Sequence, residues 1–386
     1  MSRAKRPTAV ELFAGVGGMS LGFEEAGFRV AAAFEIDQIH VDYHKKNFPH
    51  CQTKKADLSE LTGADVRRLG KLGNQQIDVL FGGSPCQGFS LIGRRESDDP
   101  RSELLLDFAR LVGELKPSYF VVENVEGLLI GDAKSFLGQF TACVAKADYV
   151  VCEPWVLTAT DFGVPQRRTR VFIVGYQRKL KKPIIPVGTF TDSTNGHAEN
   201  GSSLELCPTV WDAIGDLSSV GKLETLFKKD GFRSGRRASS DYAKILRGEE
   251  PDPANKSQRR PKFPKTLTGC LLTKHKKDTI TRFDATQPGT YETVTRFYRL
   301  SKEGYSNTLR AGTDNTRGSY MAARPIHPDD PRVITAREAA RLHSFPDWFV
   351  FHPTRWHAFR QIGNSVPPLL ARSVACAIHV ALRKSN

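Results

Sequence analysis

Over residues 8–175, short apolar runs alternate with helical patterns, and this alternation constrains the chain more than any other feature. Ala9-Val10-Glu11-Leu12-Phe13, Val30 to Phe34, Val79-Leu80-Phe81, Phe120-Val121-Val122 and Val171-Phe172-Ile173-Val174 read as strands. Met19 to Ala26 and Asp37 to Phe48 read as helices. Parallel strands need crossover connections, which helices supply, so the pattern predicts an α/β fold with a doubly wound, mostly parallel sheet. Such sheets bind ligands at the carboxyl ends of their strands. What stands at those ends therefore decides what the chain can do.

The first strand runs into Phe13-Ala14-Gly15-Val16-Gly17-Gly18, a tight turn that opens a helix. The turn lacks both the G-x-G-x-x-G spacing of a dinucleotide site and the Lys-Ser/Thr of a P-loop, which argues against a nucleotide-dependent oxidoreductase. Glu35 closes the second strand, where an acid can bind both hydroxyls of a ribose. Asp57 follows a short strand-like run and suits an adenine amino group. Together they fit an adenosine-bearing ligand without a pyrophosphate; the plainer reading is a strand-helix turn flanked by surface acids.

Ile77 to Phe81 leads into Gly82-Gly83-Ser84-Pro85-Cys86-Gln87-Gly88-Phe89-Ser90, which pins a cysteine behind a proline at a strand end. Arg94 and Arg95 follow, and nearby cations favour a thiolate. The glycine- and arginine-rich run from Gly88 to Arg101 reads as a loop over a site. Glu123 ends the next strand, so a thiol and an acid share one sheet edge. In Gln166-Arg167-Arg168-Thr169-Arg170, extended alternation puts Arg168 and Arg170 on one face, placed to hold Glu123 and a substrate together. The seven cysteines are odd in number and include no C-x-x-C pair, which argues against a disulfide framework and a structural zinc site. Those other than Cys86 read as buried or half-buried small residues.

Around residue 180 Pro, Gly, Ser, Thr and Lys become frequent, and from Thr335 a helical pattern returns, with Thr335 and Glu338 placed as an N-cap box. The expected division is 1–180, an irregular β-containing module over 181–335, and 336–386 with a final buried helix from about Pro368 to Leu382. The net charge of +14 favours a polyanionic partner, and residues 231–310, with 18 basic and 8 acidic side chains, carry most of the excess. No apolar run approaches the roughly 20 residues that span a bilayer, so no membrane association is expected.

Taken together, these residues resemble the DNA cytosine carbon-5 methyltransferase family of bacterial restriction-modification systems. The resemblance rests on Phe13 to Gly18, Glu35, Asp57, Gly83-Ser-Pro-Cys86-Gln, Glu123-Asn-Val125, Gln166 to Arg170, Arg337-Glu338 and Gln361-Ile-Gly-Asn-Ser-Val-Pro367, in the family's order. It implies the S-adenosylmethionine-dependent methyltransferase fold with a smaller target-recognition domain. It also implies S-adenosylmethionine as cofactor, S-adenosylhomocysteine as product and double-stranded DNA as substrate. Carried over by motif, Phe13, Gly15, Gly17, Glu35, Asp57, Pro85, Leu104, Asn364 and Val366 line the cofactor site, although Ser102 stands where the family has glycine beside Leu104. Cys86, Glu123, Arg168 and Arg170 become catalytic, while Arg337 and Glu338 pack the domains together. Gln361 and Asn364 belong beside the glycine turn, so the last helix returns to the first domain.

The expected chemistry is thiolate attack at carbon 6 of a flipped-out cytosine, methylation at carbon 5 and proton donation to ring nitrogen 3 by Glu123. Gln87, Ser90 and Arg94 are placed to fill the vacated base stack. Lys256, Arg259, Arg260, Lys262, Lys274, Lys276 and Lys277 read as phosphate binders, and Arg310 and Arg317 read either guanine edges or phosphates. The alternatives are an RNA cytosine methyltransferase on the same scaffold and a catalytically silent DNA-binding relative. A cytoplasmic, monomeric enzyme paired with a restriction endonuclease is the expectation.

Overall fold

The computed structural model describes residues 6–84, 103–131, 133–192, 204–233, 237–257, 263–311 and 324–385. Five strands run parallel: β1 (Thr8–Leu12), β2 (Arg29–Glu35), β3 (Gln52–Lys55), β4 (Val79–Gly83) and β5 (Tyr119–Asn124). β6 (Tyr149–Val151), β7 (Trp155–Thr158) and β8 (Thr169–Gln177) complete an eight-stranded sheet of order β3-β2-β1-β4-β5-β8-β6, with β7 paired to β8. β8 runs antiparallel to β5. Strand order reverses between β1 and β4, so the glycine turn after β1 and the end of β4 flank the switch point where ligands of such sheets bind.

The period of two along each strand sorts side chains to the two faces. Val10, Leu12, Leu80, Phe120 and Val122 share a core with Leu105 and Phe108 of α4 (Glu103–Leu115) and Phe140 of α5 (Ala133–Lys146). The helices α1 (Gly18–Glu25), α2 (Gln38–Asn47) and α3 (Gly63–Leu69) connect the earlier strands. Ala9, Phe81, Tyr119 and Val121 face the other core, where the rings of Phe23 and Phe81 stack 3.8 Å apart. Burying one such aromatic side chain contributes about 1.5–3 kcal/mol.

Beyond the sheet, β9 (Phe190–Thr191) and β10 (Glu205–Leu206) form a two-stranded pair, followed by the short helices α6 (Val210–Ile214), α7 (Asp241–Arg247) and α8 (Lys277–Ala285). Small cores form around Leu226, Phe232 and Leu272 and around Phe283, Ile326 and Val333. Val210, Ile214, Leu300 and Leu309 join the core of the sheet instead, so packing is continuous across the boundary expected at residue 181.

Helix α9 (Ala336–Leu342) starts with the capping box expected of Thr335 and Glu338. Its arginines are buried ties: Arg337 donates to the carbonyls of Thr268 and Phe349, and Arg341 pairs with Asp347 at 2.7 Å and Asp216 at 3.2 Å. Helices α10 (Arg355–Asn364) and α11 (Pro368–Ser385) follow. Contrary to the sequence expectation, the stretch Arg355–Ser385 is long and apolar enough to cross a bilayer by length and composition. Two thirds of its most apolar window is buried, and α11 packs along α1, which makes it a core helix. Cys143 is exposed, against the expectation for the cysteines outside the site.

Candidate active site

A cavity of about 450 Å³ opens at the β1/β4 switch point. Its walls include Phe13, Gly15, Glu35, Asp57, Leu104, Asn364 and Val366. Phe13 follows β1 at φ 54°, a strained value for a residue with a side chain. Gly15 takes the left-handed region at φ 52°, and a Cβ there would meet nothing within 4 Å, so its backbone faces open space. Gly17 follows in the same turn. It caps α1 at φ 101° and is not among the wall residues, and a Cβ there would lie 2.3 Å from the Phe48 ring. Its role is to let the turn pack onto α2's end.

Glu35 fixes the turn. Its carboxylate accepts the amide of Gly15 at 2.8 Å and that of Asp37 at 2.9 Å, with His40 at 3.9 Å. Burial opposes ionisation, but His40 and the two amides outweigh it and hold Glu35 below its ordinary pKa. Asp57 accepts from the amide and hydroxyl of Ser59 at 3.0 and 2.7 Å. On the α10 side, Gln361 is 1% exposed. Its Oε1 accepts the His352 amide at 2.8 Å, which fixes the side-chain amide's orientation, and Nε2 finds no hydrogen-bond partner among the described residues. A buried, unsatisfied donor in a cavity wall calls for a ligand acceptor.

Sequence reasoning missed several wall residues. Ile36, 59% exposed, and Leu58 are apolar walls beside Glu35 and Asp57. Asp37 caps α2 through the Ile39 amide and meets Arg360 of α10 at 2.8 Å. Glu11 lies beneath, hydrogen-bonded by Ser20, whose hydroxyl is 3.1 Å from His44 Nε2, and burial raises its pKa. A carboxylate inside the apolar run Ala9 to Phe13 was the available signal.

Glu123 also lines this cavity. Its strand neighbour is Gly83, where a Cβ would lie 2.8 Å from Oε2, so the glycine leaves room for the carboxyl. Arg170 Nε meets Oε1 at 2.9 Å. Burial is the largest influence on Glu123 and raises its pKa; the charges of Arg170 and Arg168 oppose it without cancelling it. The carboxyl therefore holds its proton more tightly than an ordinary glutamic acid. Arg168, 2% exposed, donates instead to three backbone carbonyls, those of Leu309, Gly363 and Ser365. Both arginine charges thus act on Glu123, while Arg168 spends these hydrogen bonds on backbone.

Arg310, expected in a readout loop of the middle module, lies exposed in the wall of this cavity with Thr308, Leu309 and Ala311. Lys274 is exposed. Lys256 donates its backbone amide to Glu25 at the far end of α1 from the glycine turn. Pro85, Cys86, Gln87, Ser90, Arg94, Arg259, Arg260, Lys262 and Arg317 lie outside the described residues. No cluster of His, Cys, Asp and Glu suited to a metal ion occurs among the described residues.

Residues 8–379 match the C-5 cytosine-specific DNA methylase family. The chain is 48% identical to Type II methyltransferase M.XorII of Xanthomonas oryzae pv. oryzae, over 98% of this chain and 86% of that protein. It is 31% identical to Type II methyltransferase M1.HphI of Haemophilus parahaemolyticus, over 96% and 86%. Among solved structures, a DNA modification methyltransferase encoded within an Escherichia coli prophage superposes with a TM-score of 0.78 at 32% identity, covering 98% of this chain and 99% of that one.

Proposed function

The chain belongs to the C-5 cytosine-specific DNA methylase family, and from that premise we propose that it methylates carbon 5 of a cytosine flipped out of duplex DNA, using Cys86 as nucleophile and S-adenosylmethionine as methyl donor. The carrying observation is one cavity that joins the glycine turn and Glu35 to the buried, proton-retaining Glu123. The cavity fits the donor: an open turn at Gly15, paired acids at Glu35 and Asp57, apolar walls at Ile36 and Leu58, and a buried amide at Gln361 that needs an acceptor. Phe13, Gly15, Glu35, Asp57, Leu104, Asn364 and Val366 would hold it, and Pro85 joins them by motif. Once bound, the donor supplies an electrophilic methyl group.

Carbon 5 of cytosine is a poor nucleophile. Addition of the Cys86 thiolate to carbon 6 breaks the ring's conjugation and leaves an enamine whose carbon 5 can attack. The electron pair pushed toward nitrogen 3 is met by a proton from Glu123, whose pKa burial raises. Arg170 orients the carboxyl from 2.9 Å. A base then takes the carbon-5 proton, the Cys86 thiolate leaves carbon 6, and nitrogen 3 returns its proton to Glu123, which restores the aromatic ring. Extruding the base costs a few kcal/mol of stacking, and Gln87, Ser90 and Arg94 are proposed to fill the gap. The excess positive charge of residues 231–310, including Lys274, together with Arg317, would hold the phosphates and read the target, with residues 181–335 as the recognition module.

The names of the relatives support a type II restriction-modification context; on this reading a cognate endonuclease cuts the unmethylated site and the enzyme acts in the bacterial cytoplasm. The test is covalent trapping. A duplex whose target carries 5-fluorocytosine cannot lose a carbon-5 proton, so with cofactor it should form a denaturation-resistant adduct with the wild type and none with Cys86→Ser. An adduct with transfer RNA but not with duplex DNA would redirect the assignment to RNA.

A further inference from the structure

Arg168 stands beside the proposed chemistry, yet its hydrogen bonds tie two remote backbone segments together. Nη1 donates to Leu309 O at 2.9 Å, and Nη2 donates to Gly363 O at 2.8 Å and to Ser365 O at 3.1 Å. The first carbonyl belongs to the strap 308–311, which runs in from the middle of the chain. The other two belong to the turn that leaves α10. Both segments wall the same cavity: Asn364 and Val366, assigned to the cofactor, and Thr308 and Arg310 of the strap, in a lining that also includes Glu123 and Arg170.

The tie is reinforced from both sides. Gln166 Oε1 accepts the Leu309 amide at 3.1 Å, while its Nε2 lies 2.9 Å from His343 Nδ1, and His343 Nε2 reaches Ser365 O at 2.9 Å. The two backbones also touch. A Cβ on Gly363 would lie 2.4 Å from the Arg310 carbonyl carbon and 2.5 Å from the Ala311 nitrogen. A planar guanidinium making charge-assisted bonds in a buried setting holds such segments in one arrangement.

We propose that Arg168 is a positioning residue that couples cofactor binding to DNA binding by fixing the strap 308–311 to the turn 363–366. The proposal rests on the reading of the cavity given above. A ligand seated against Asn364 and Val366 orders the turn, and through Arg168 it orders the strap. DNA that meets the strap then loses less conformational freedom on binding. By thermodynamic linkage the effect is equal in both directions.

The test measures affinity for a duplex carrying the methylated sequence with and without S-adenosylhomocysteine, and affinity for S-adenosylhomocysteine with and without that duplex. The proteins are full-length wild type, Arg168→Lys and Gln166→Met. The wild type should show coupling of about fivefold or more, the same in both directions. Arg168→Lys keeps the charge, but its compact ammonium cannot span three carbonyls. Its coupling should fall to within about twofold of unity, while each ligand alone binds within about threefold of wild type. A purely structural role would weaken both affinities and leave the ratio intact, which overturns the proposal, as does a wild type that binds both ligands without coupling. If Arg168→Lys shows no cooperative melting transition, Gln166→Met decides: it removes one bond to the strap and should lower the ratio, and an unchanged ratio overturns the proposal. A wild type that binds neither ligand overturns the cavity reading as well, which separates the two failures.

Discussion

Replacing Glu123 by Gln removes a proton while keeping size, a hydrogen-bond donor and a partner for Arg170. In the wild type, burial raises the carboxyl's pKa against the opposing charges of Arg170, 2.9 Å away, and Arg168. Only the protonated acid can donate to ring nitrogen 3, so the rate should fall as pH rises through the folded pKa. Because that pKa lies above the ordinary carboxylate value, the falling limb should lie above the ordinary carboxylate range as well. General-acid catalysis contributes about 10²–10⁴-fold. At 1.36 kcal/mol per factor of ten, Glu123→Gln should therefore raise the barrier by about 3–5 kcal/mol. The assay is single-turnover methyl transfer with enzyme in excess, followed across pH. The Gln variant should lose both the rate and the limb. Arg170→Met removes a charge that holds the pKa down, so its limb should move to higher pH. A Gln variant within about threefold of wild type, or one that keeps the same limb, would refute the role of Glu123 as proton donor.

Three further outcomes follow from the geometry. Gly17→Ala should lower stability by about 1–3 kcal/mol in urea titrations, because φ is 101° and the new Cβ meets Phe48; Gly15→Ala should cost about 1–2 kcal/mol of stability and also weaken S-adenosylhomocysteine binding by calorimetry. Arg341→Met leaves buried Asp347 with only the Arg337 guanidinium at 3.9 Å, while Asp216 keeps Arg247 at 2.9 Å, and should cost about 3–5 kcal/mol in the same titrations. Lys274→Ala, at an exposed position, should reduce the log–log salt slope of DNA affinity by about 0.9 while leaving the preferred sequence unchanged.

Much of this was legible in the sequence because it is local. Strand and helix periods placed the elements they identified to within three residues, and strand ends put Glu35 and Glu123 on the edge where the cavity opens. Thr335 and Glu338 announced their capping box three residues apart. What escaped depends on contacts between distant segments. The reversal of β8 against β5 has no local signature, since its apolar run reads alike in either direction. The division of labour between Arg168 and Arg170 is set by carbonyls at 309, 363 and 365, which strand alternation cannot foresee. That Phe48 leaves no room for a side chain at Gly17 is likewise a contact the local sequence does not show. Arg310 looked like part of a recognition loop because its strap is basic and irregular, yet backbone contact with Gly363 draws it into the cavity wall.

The most direct test of the central claim is transfer of labelled methyl from S-adenosylmethionine to unmethylated duplex DNA, with wild type beside Cys86→Ser and bisulfite sequencing of the product. The account predicts 5-methylcytosine at one short recurring sequence, made by the wild type and absent with the mutant. Label that appears on another base, or undiminished methylation by Cys86→Ser, would contradict it.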